Sequence, residues 1–220
     1  MEIASFLEFL QSDATQRTLL AETREHLIMI ALPILGALVV GIALGIAAHR
    51  FRFLRGSILN MVSWFLTIPS LAFFALLIPI VGIGNTAPMT ALFFYALLPI
   101  VRNTVAGLTS VDQAVVESAK GMGMGRVKRL LQIELPNAWP VILAGARVAT
   151  LLLIGIAAIA AVVGGDGLGQ SIYRGINRIP AGGSLEAILS GTLMIVVLAV
   201  LIDLIYLGIG RLTIPRGLRD

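Results

Sequence analysis

Apolar residues in this chain neither alternate with polar ones nor keep to one helical stripe; they come in long unbroken runs. Between residues 26 and 49 there is no Lys, Arg, Asp or Glu, and a helix of about 20 such residues crosses a hydrocarbon core of roughly 30 Å. The next charge-free run, 56 to 101, is too long for one crossing, and Gly82, Gly84, Asn85 and Pro88 interrupt it with a strong turn signal. It reads as two spans. Two more apolar runs follow, 138 to 163 with Arg147 as its only charge and 187 to 210 with Asp203 as its only charge. Lipid offers the backbone no hydrogen-bond partners, and runs of this length are too long for barrel strands. The predicted fold is therefore an all-α integral membrane protein with about five transmembrane helices.

Several residues inside these runs carry specific expectations. Pro69, Pro79 and Pro99 each remove a backbone donor and bend a helix, either as part of a gate or as tolerated kinks. Gly36, Gly41 and Gly45 include a close-packing face on the first span. Arg147 and Asp203, counted from their span ends, lie about 10 to 15 Å deep. At that depth they either pair with each other or snorkel toward headgroups.

Composition sharpens the class. Of 220 residues, 58% are hydrophobic and 13% charged, and mean hydropathy is +0.97, far from a soluble domain. A pI near 10.1 invites a nucleic-acid reading, but the basic residues cluster beside the spans, where topology accounts for them. Arg50, Arg52 and Arg55 follow the first span; Lys120, Arg126, Lys128 and Arg129 follow the third; Arg211, Arg216 and Arg219 follow the fifth. Cytoplasmic loops retain such charges, so the N-terminus is expected outside and the C-terminus inside a bacterial cell membrane. Residues 1–25, acidic overall, read as a short amphipathic helix with Ile3, Phe6, Leu7 and Leu10 on one face at the outer boundary, or as a flexible segment. A single membrane domain over 26–210 and a tail over 211–220 complete the organisation. His26 and His49 flank the first span as interfacial residues. No catalytic constellation and no metal cluster is visible, and the chain has no cysteine.

The loop between spans three and four, residues 111–136, is too patterned for a connector. Ser110 is expected to cap a helix beginning near Val111, with Asp112 favourable in its first turn. Ser118, Ala119 and Gly121 leave that helix little side-chain bulk, so another protein could approach its backbone. Gly121, Gly123 and Gly125 break it, and a second amphipathic arm follows, with Val127, Leu130 and Leu131 apolar against Arg126, Lys128 and Arg129. The predicted product is a cytoplasmic helix-turn-helix elbow.

Here the chain resembles the permease subunits of ABC importers, whose loop runs Glu-Ala-Ala, three residues, Gly, nine residues, Ile, one residue, Leu-Pro. Glu117, Ser118, Ala119, Gly123, Ile133, Leu135 and Pro136 stand at those spacings, with Ser118 the one departure. The resemblance implies that the elbow sits in a groove of a partner ATP-binding subunit. Glu117 would contact that subunit or cap the elbow, Ala119 would permit close approach, Gly123 would turn the chain, and Ile133, Leu135 and Pro136 would anchor it to span four. The chain has no phosphate-binding Gly-rich loop of its own, so ATP and Mg are expected on the partner ATPase and no cofactor on this chain. The family also implies a second permease subunit, a copy or a paralogue, and an extracytoplasmic solute-binding protein. It implies alternating access between the two permeases, with no nucleic-acid partner. An ATP-independent secondary transporter or channel would need no such elbow.

Beyond the elbow, Thr67, Ile68, Pro69, Ser70, Leu71 and Ala72, the stretch 91–104, and Pro140 through Gly145 resemble osmoprotectant permeases serving glycine betaine, carnitine and choline; methionine or another small solute is the alternative. Asp166 departs from that family's Gly-rich segment, where a small residue is usual. A quaternary ammonium solute would favour aromatic faces, which makes Trp64, Phe65, Phe73, Phe74, Phe93, Phe94 and Tyr95 pathway candidates beside Pro69, Ser70, Pro99 and Asn103.

Overall fold

The computed structural model describes residues 3–180 and 182–214, and among them the only regular structure is helical. A short helix α1 (Ile3–Gln11) leads into α2 (Asp13–Arg50), followed by α3 (Arg52–Thr67), α4 (Ser70–Val81) and α5 (Thr86–Thr109). The loop that follows carries α6 (Gln113–Gly121) and α7 (Arg126–Arg129), which continues through a π-helical turn (Leu130–Glu134) into α8 (Leu135–Ala157). A 3-10 stretch (Ala158–Val163), α9 (Gly169–Asn177) and α10 (Ser184–Thr213) complete the order. Four continuous helical stretches are long and apolar enough to cross a membrane, and α3 with α4, bent by 100° at Ile68 and Pro69, makes a fifth when the bent pair is counted as one span. The span expected to be merely bent at Pro69 is thus broken there, because proline removes a donor and the residue before it avoids helical geometry.

The boundary expected at residues 25 and 26 falls inside one helix. At about 1.5 Å per residue, 38 residues of α2 reach about 57 Å, well beyond a hydrocarbon core. The residues expected on a short N-terminal helix, Ile3 to Leu10, lie on α1, while from Asp13 the chain is already α2, where Leu19 is buried with Leu168 and Leu198, and Leu10, Met194 and Ile195 pack around them. The C-terminal residues 215–220, with Arg216 and Arg219, lie outside the described residues.

Chain contacts divide the molecule into two compact units. The first draws on Met1–Leu35, Ile68–Phe93 and Thr150–Ile202 and the second on Gly36–Thr67, Phe94–Ala149 and Asp203–Asp220. In the first, α4 and α9 pack on the 3-10 stretch. A methyl group on Gly169 would stand 2.0 Å from the Ala158 carbonyl oxygen, so only glycine fits that crossing. In the second, Leu108, Ala138 and Ile142 form the core, with Ile42, Ile46, Leu135 and Trp139 around them. Gly41 and Gly45 bring α2 onto α5, where an added methyl would meet the side chains of Ile100 at 2.7 Å and Thr104 at 2.4 Å. Small residues one turn apart let membrane helices approach this closely.

Gly45→Val should therefore lower the thermal midpoint and the folded yield in detergent, by an amount matching an overpacked core, about 1–3 kcal/mol or more. Gly155→Ala, where an added methyl meets nothing within 4 Å, should leave both unchanged in the same melting assay.

Candidate functional site

The elbow is built from local backbone chemistry. Asp112, not Ser110, caps α6: its Oδ1 accepts the Ala114 N–H at 2.8 Å, while the Ser110 hydroxyl donates to the Gly107 carbonyl at 2.9 Å and closes α5. The end of α6 is a Schellman cap, in which the Met124 N–H bonds the Ala119 carbonyl at 3.1 Å and the Gly123 N–H bonds the Lys120 carbonyl at 2.9 Å. Gly123 sits at φ +79°, a left-handed conformation that disfavours any side chain. Gly121 and Gly125 have ordinary φ signs, and methyl groups there would meet nothing within 4 Å. One of the three loop glycines therefore makes the turn.

Side chains divide the elbow into an open and a covered side. Glu117 is exposed and accepts a hydrogen bond from Gln113 Nε2 at 3.1 Å; Ser118 is exposed and donates to the Ala114 carbonyl at 2.8 Å. Val115, Met122, Val127 and Leu131 are exposed apolar residues on the two arms. Ala119, expected to admit a partner, is instead 1% exposed, and α6 packs against the elbow's own second arm. The close approach it permits is made within the chain.

The second arm departs from a simple amphipathic helix. Arg129, expected on the polar face, is buried, and its Nε donates to buried Glu134 Oε1 at 2.7 Å. The π turn spanning residues 130–134 immediately precedes Leu135 and Pro136. Proline lacks an N–H and clashes with the carbonyl four residues back, and a widened turn relieves both problems. Ile133 and Leu135 are half-buried, with Leu135 against the Leu108, Ala138 and Ile142 core, while Pro136 remains exposed in the first turn of α8. The arm and the span are thus one connected rod, pinned by an ion pair.

Charge follows the two units. Among the described residues, the first contains four Lys and Arg residues, Arg17, Arg24, Arg174 and Arg178, with six acids; the second contains ten basic residues and four acids, including every basic residue of the elbow.

A family model described as the binding-protein-dependent transport system inner membrane component matches residues 37–214, which covers the last third of α2, every long helix after it and the elbow. The chain belongs to that family. It is the permease subunit of an ABC importer, a multi-pass membrane protein working with an ATPase and a second permease subunit. The permease is 37% identical over 213 residues to the glycine betaine/carnitine/choline transport system permease protein OpuCB of Bacillus subtilis, covering 97% of this chain and 95% of that one. It is 39% identical over 202 residues to the osmoprotectant import permease protein OsmW of Salmonella typhimurium, covering 90% and 92%. OpuCD of Bacillus subtilis is 41% identical over 186 residues, covering 84% of this chain and 80% of its own length. Among solved structures, the inward-facing MetNI methionine ABC transporter shares the fold at a TM-score of 0.81 and 22% identity, over 92% of the permease and 99% of that chain.

The remaining candidate residues of the permease separate by environment. Phe65 and Phe94 stack at 4.4 Å between ring centres, Trp64 is 73% exposed, and Tyr95, Phe73 and Phe74 are buried in their units. Pro69 is exposed and Ser70 half-buried at the α3–α4 break. Asn103 Nδ2 donates to the Pro99 carbonyl at 2.8 Å, and both residues press on Gly145, where a methyl would meet Asn103 Cβ at 2.5 Å and the Pro99 oxygen at 2.9 Å. Those two residues serve the α5–α8 crossing. Arg147 and Asp203 meet in a bidentate pair, Nε to Oδ1 at 2.5 Å and Nη2 to Oδ2 at 2.7 Å, which joins α8 to α10.

Several polar contacts escaped sequence reasoning. His26, at the start of the first apolar run, is fully buried within the protein, with Nε2 3.2 Å from the Ile154 carbonyl. Arg174 lies on α9 and pairs with Glu22, which also accepts the Ser171 hydroxyl at 2.6 Å. Asp166 accounts for its own departure from the family pattern: Asn85 Nδ2 donates to its Oδ2 at 2.8 Å and its backbone N–H donates to Asn85 Oδ1 at 2.7 Å. Asn85 is in the turn the sequence marks, yet its partner lies 81 residues away.

Two measurements follow. Gly123→Ala should cost the turn about 1–2 kcal/mol and reduce co-purification of the ATPase, whereas Gly121→Ala should leave the folded elbow intact. Arg147→Ala and Asp203→Ala should each reduce yield and melting temperature, and the exchange Arg147→Asp with Asp203→Arg should restore part of the loss.

Proposed function

We propose that this permease imports osmoprotectants of the quaternary ammonium class, such as glycine betaine, carnitine or choline, by ATP-driven alternating access. The activities named for relatives 37 to 41% identical over most of the chain carry this reading. In this reading the N-terminus is outside and the C-terminus cytoplasmic. The concentration of basic residues in the second unit supports that orientation, since cytoplasmic segments retain Lys and Arg.

The elbow is then the coupling site. Its exposed apolar residues, Val115, Met122 and Val127, enter a groove of an ATPase that binds ATP and Mg. Glu117 sits on the exposed side of α6, and Gly123 holds the angle between the arms. ATP-driven closure of two ATPases moves two elbows, and the Arg129–Glu134 pair carries each movement into α8. The path opens outward to a solute-binding protein and resets after hydrolysis. Trp64 and the Phe65–Phe94 stack offer ring faces worth about 0.5–2 kcal/mol each to a quaternary ammonium group.

Competition uptake in cells expressing the complete transporter tests the reading. Excess glycine betaine, choline or carnitine should suppress uptake of a labelled member of the same class, and methionine should not. Suppression by methionine alone would overturn the assignment of solute.

A further inference from the structure

Where α2 ends, an open cavity of about 550 Å³ is lined by Arg50, Phe51, Lys120, Arg126 and Arg129. Four of its five lining residues are cationic. Arg129 is 8% exposed, and its one ion-pair partner is Glu134, through Nε. A guanidinium has five N–H donors, so the terminal ones are left for whatever enters the cavity. Among the described residues, Arg50, Lys120 and Arg126 have no ion-pair partner. The cavity therefore gathers four cations against one carboxylate, held by three separate elements: the end of α2, α6 and α7.

We propose that this cavity binds the phosphate headgroup of an anionic phospholipid. The proposal goes beyond the solute reading and does not depend on it. Forked guanidinium donors match phosphate oxygens bidentately, and Lys adds a point charge. Basic pockets between membrane helices hold anionic headgroups for this reason. Position favours lipid over a protein carboxylate. Arg50 is the last residue of α2, and Phe51 and Phe53 follow it as exposed rings, 51% and 79%, in edge contact at 6.2 Å. Aromatic residues at a span end mark the headgroup level. The exposed apolar residues of the elbow, Val115, Met122 and Val127, do not line the cavity, which leaves them for the ATPase. A bound headgroup would tie the elbow to the end of α2.

Native mass spectrometry of the permease co-purified with its ATPase tests this, using phosphatidylglycerol and phosphatidylcholine with the same acyl chains. Wild type should retain phosphatidylglycerol preferentially, and equimolar inorganic phosphate should not displace it. Lys120→Gln with Arg126→Gln should weaken that retention roughly tenfold or more, and Arg50→Gln, on a different element, about fivefold. Arg55→Gln with Lys128→Gln removes the same charge outside the cavity and should change retention by less than about twofold. Equal losses in both double variants would overturn the site in favour of diffuse charge. Displacement by inorganic phosphate would overturn the lipid source. Unchanged retention with dissociation of the ATPase from the Lys120/Arg126 variant would assign the cavity to the ATPase instead.

Discussion

A hydrocarbon solvent gives the backbone nothing to bond with, so every departure from helix has to be paid back by the protein itself. Among the described residues, three departures from regular α-helix show how differently this is met. At Ile68 and Pro69 the chain bends by 100°. Past α8 it narrows to a 3-10 stretch and turns at Gly164 and Gly167, both with positive φ, and the Asn85–Asp166 exchange of hydrogen bonds holds that turn. Before α8 it widens to a π turn and places Glu134 against Arg129.

That last departure gives the elbow mechanical meaning. A flexible hairpin at a membrane surface would absorb a push, whereas this one is capped at each end of α6 and runs without interruption into a span. Breaking a buried ion pair by removing one partner leaves a desolvated charge and commonly costs about 3–5 kcal/mol. The Arg129–Glu134 pair thus favours a single geometry at the joint. The Arg147–Asp203 pair does related work further along, fastening α8 to α10, although these side chains are 38% and 28% exposed and more readily solvated or paired elsewhere.

How much of this was legible in the sequence follows from the range of the forces involved. Run lengths reflect the solvent, so the all-helical membrane fold and the number of crossings could be read directly. The elbow was legible in outline because caps and left-handed glycines act within a few residues: Gly123 was identified as a breaker, whereas the cap is Asp112 and not Ser110, Gly121 and Gly125 do not make the turn, and Ala119 and Arg129 are buried by packing that the local pattern does not encode. Arg147 and Asp203 could be picked out because each is the lone charge in its run. His26, Glu22 and Asn85 were not legible in this way, since their partners Ile154, Ser171, Arg174 and Asp166 lie on distant segments. Glu134 was missed for a different reason. Its partner is five residues away, a spacing that pairs poorly on an α-helix and becomes close across a π turn. The span boundary at residue 26 misplaced the start of α2 because charge marks where a helix leaves lipid, not where it stops being helical.

The central claim is that the open side of the elbow is the surface an ATPase grips. Since the chain contains no cysteine, Met122→Cys introduces a single reactive thiol at the tip of α6, and Ile83→Cys introduces one of similar exposure in the first unit. A thiol-to-amine cross-linker applied to the assembled transporter should join Met122→Cys to the ATP-binding subunit, with a yield that changes on addition of ATP, and should leave Ile83→Cys unlinked to it. Cross-linking of the ATPase through Ile83→Cys, with Met122→Cys silent, would contradict the account.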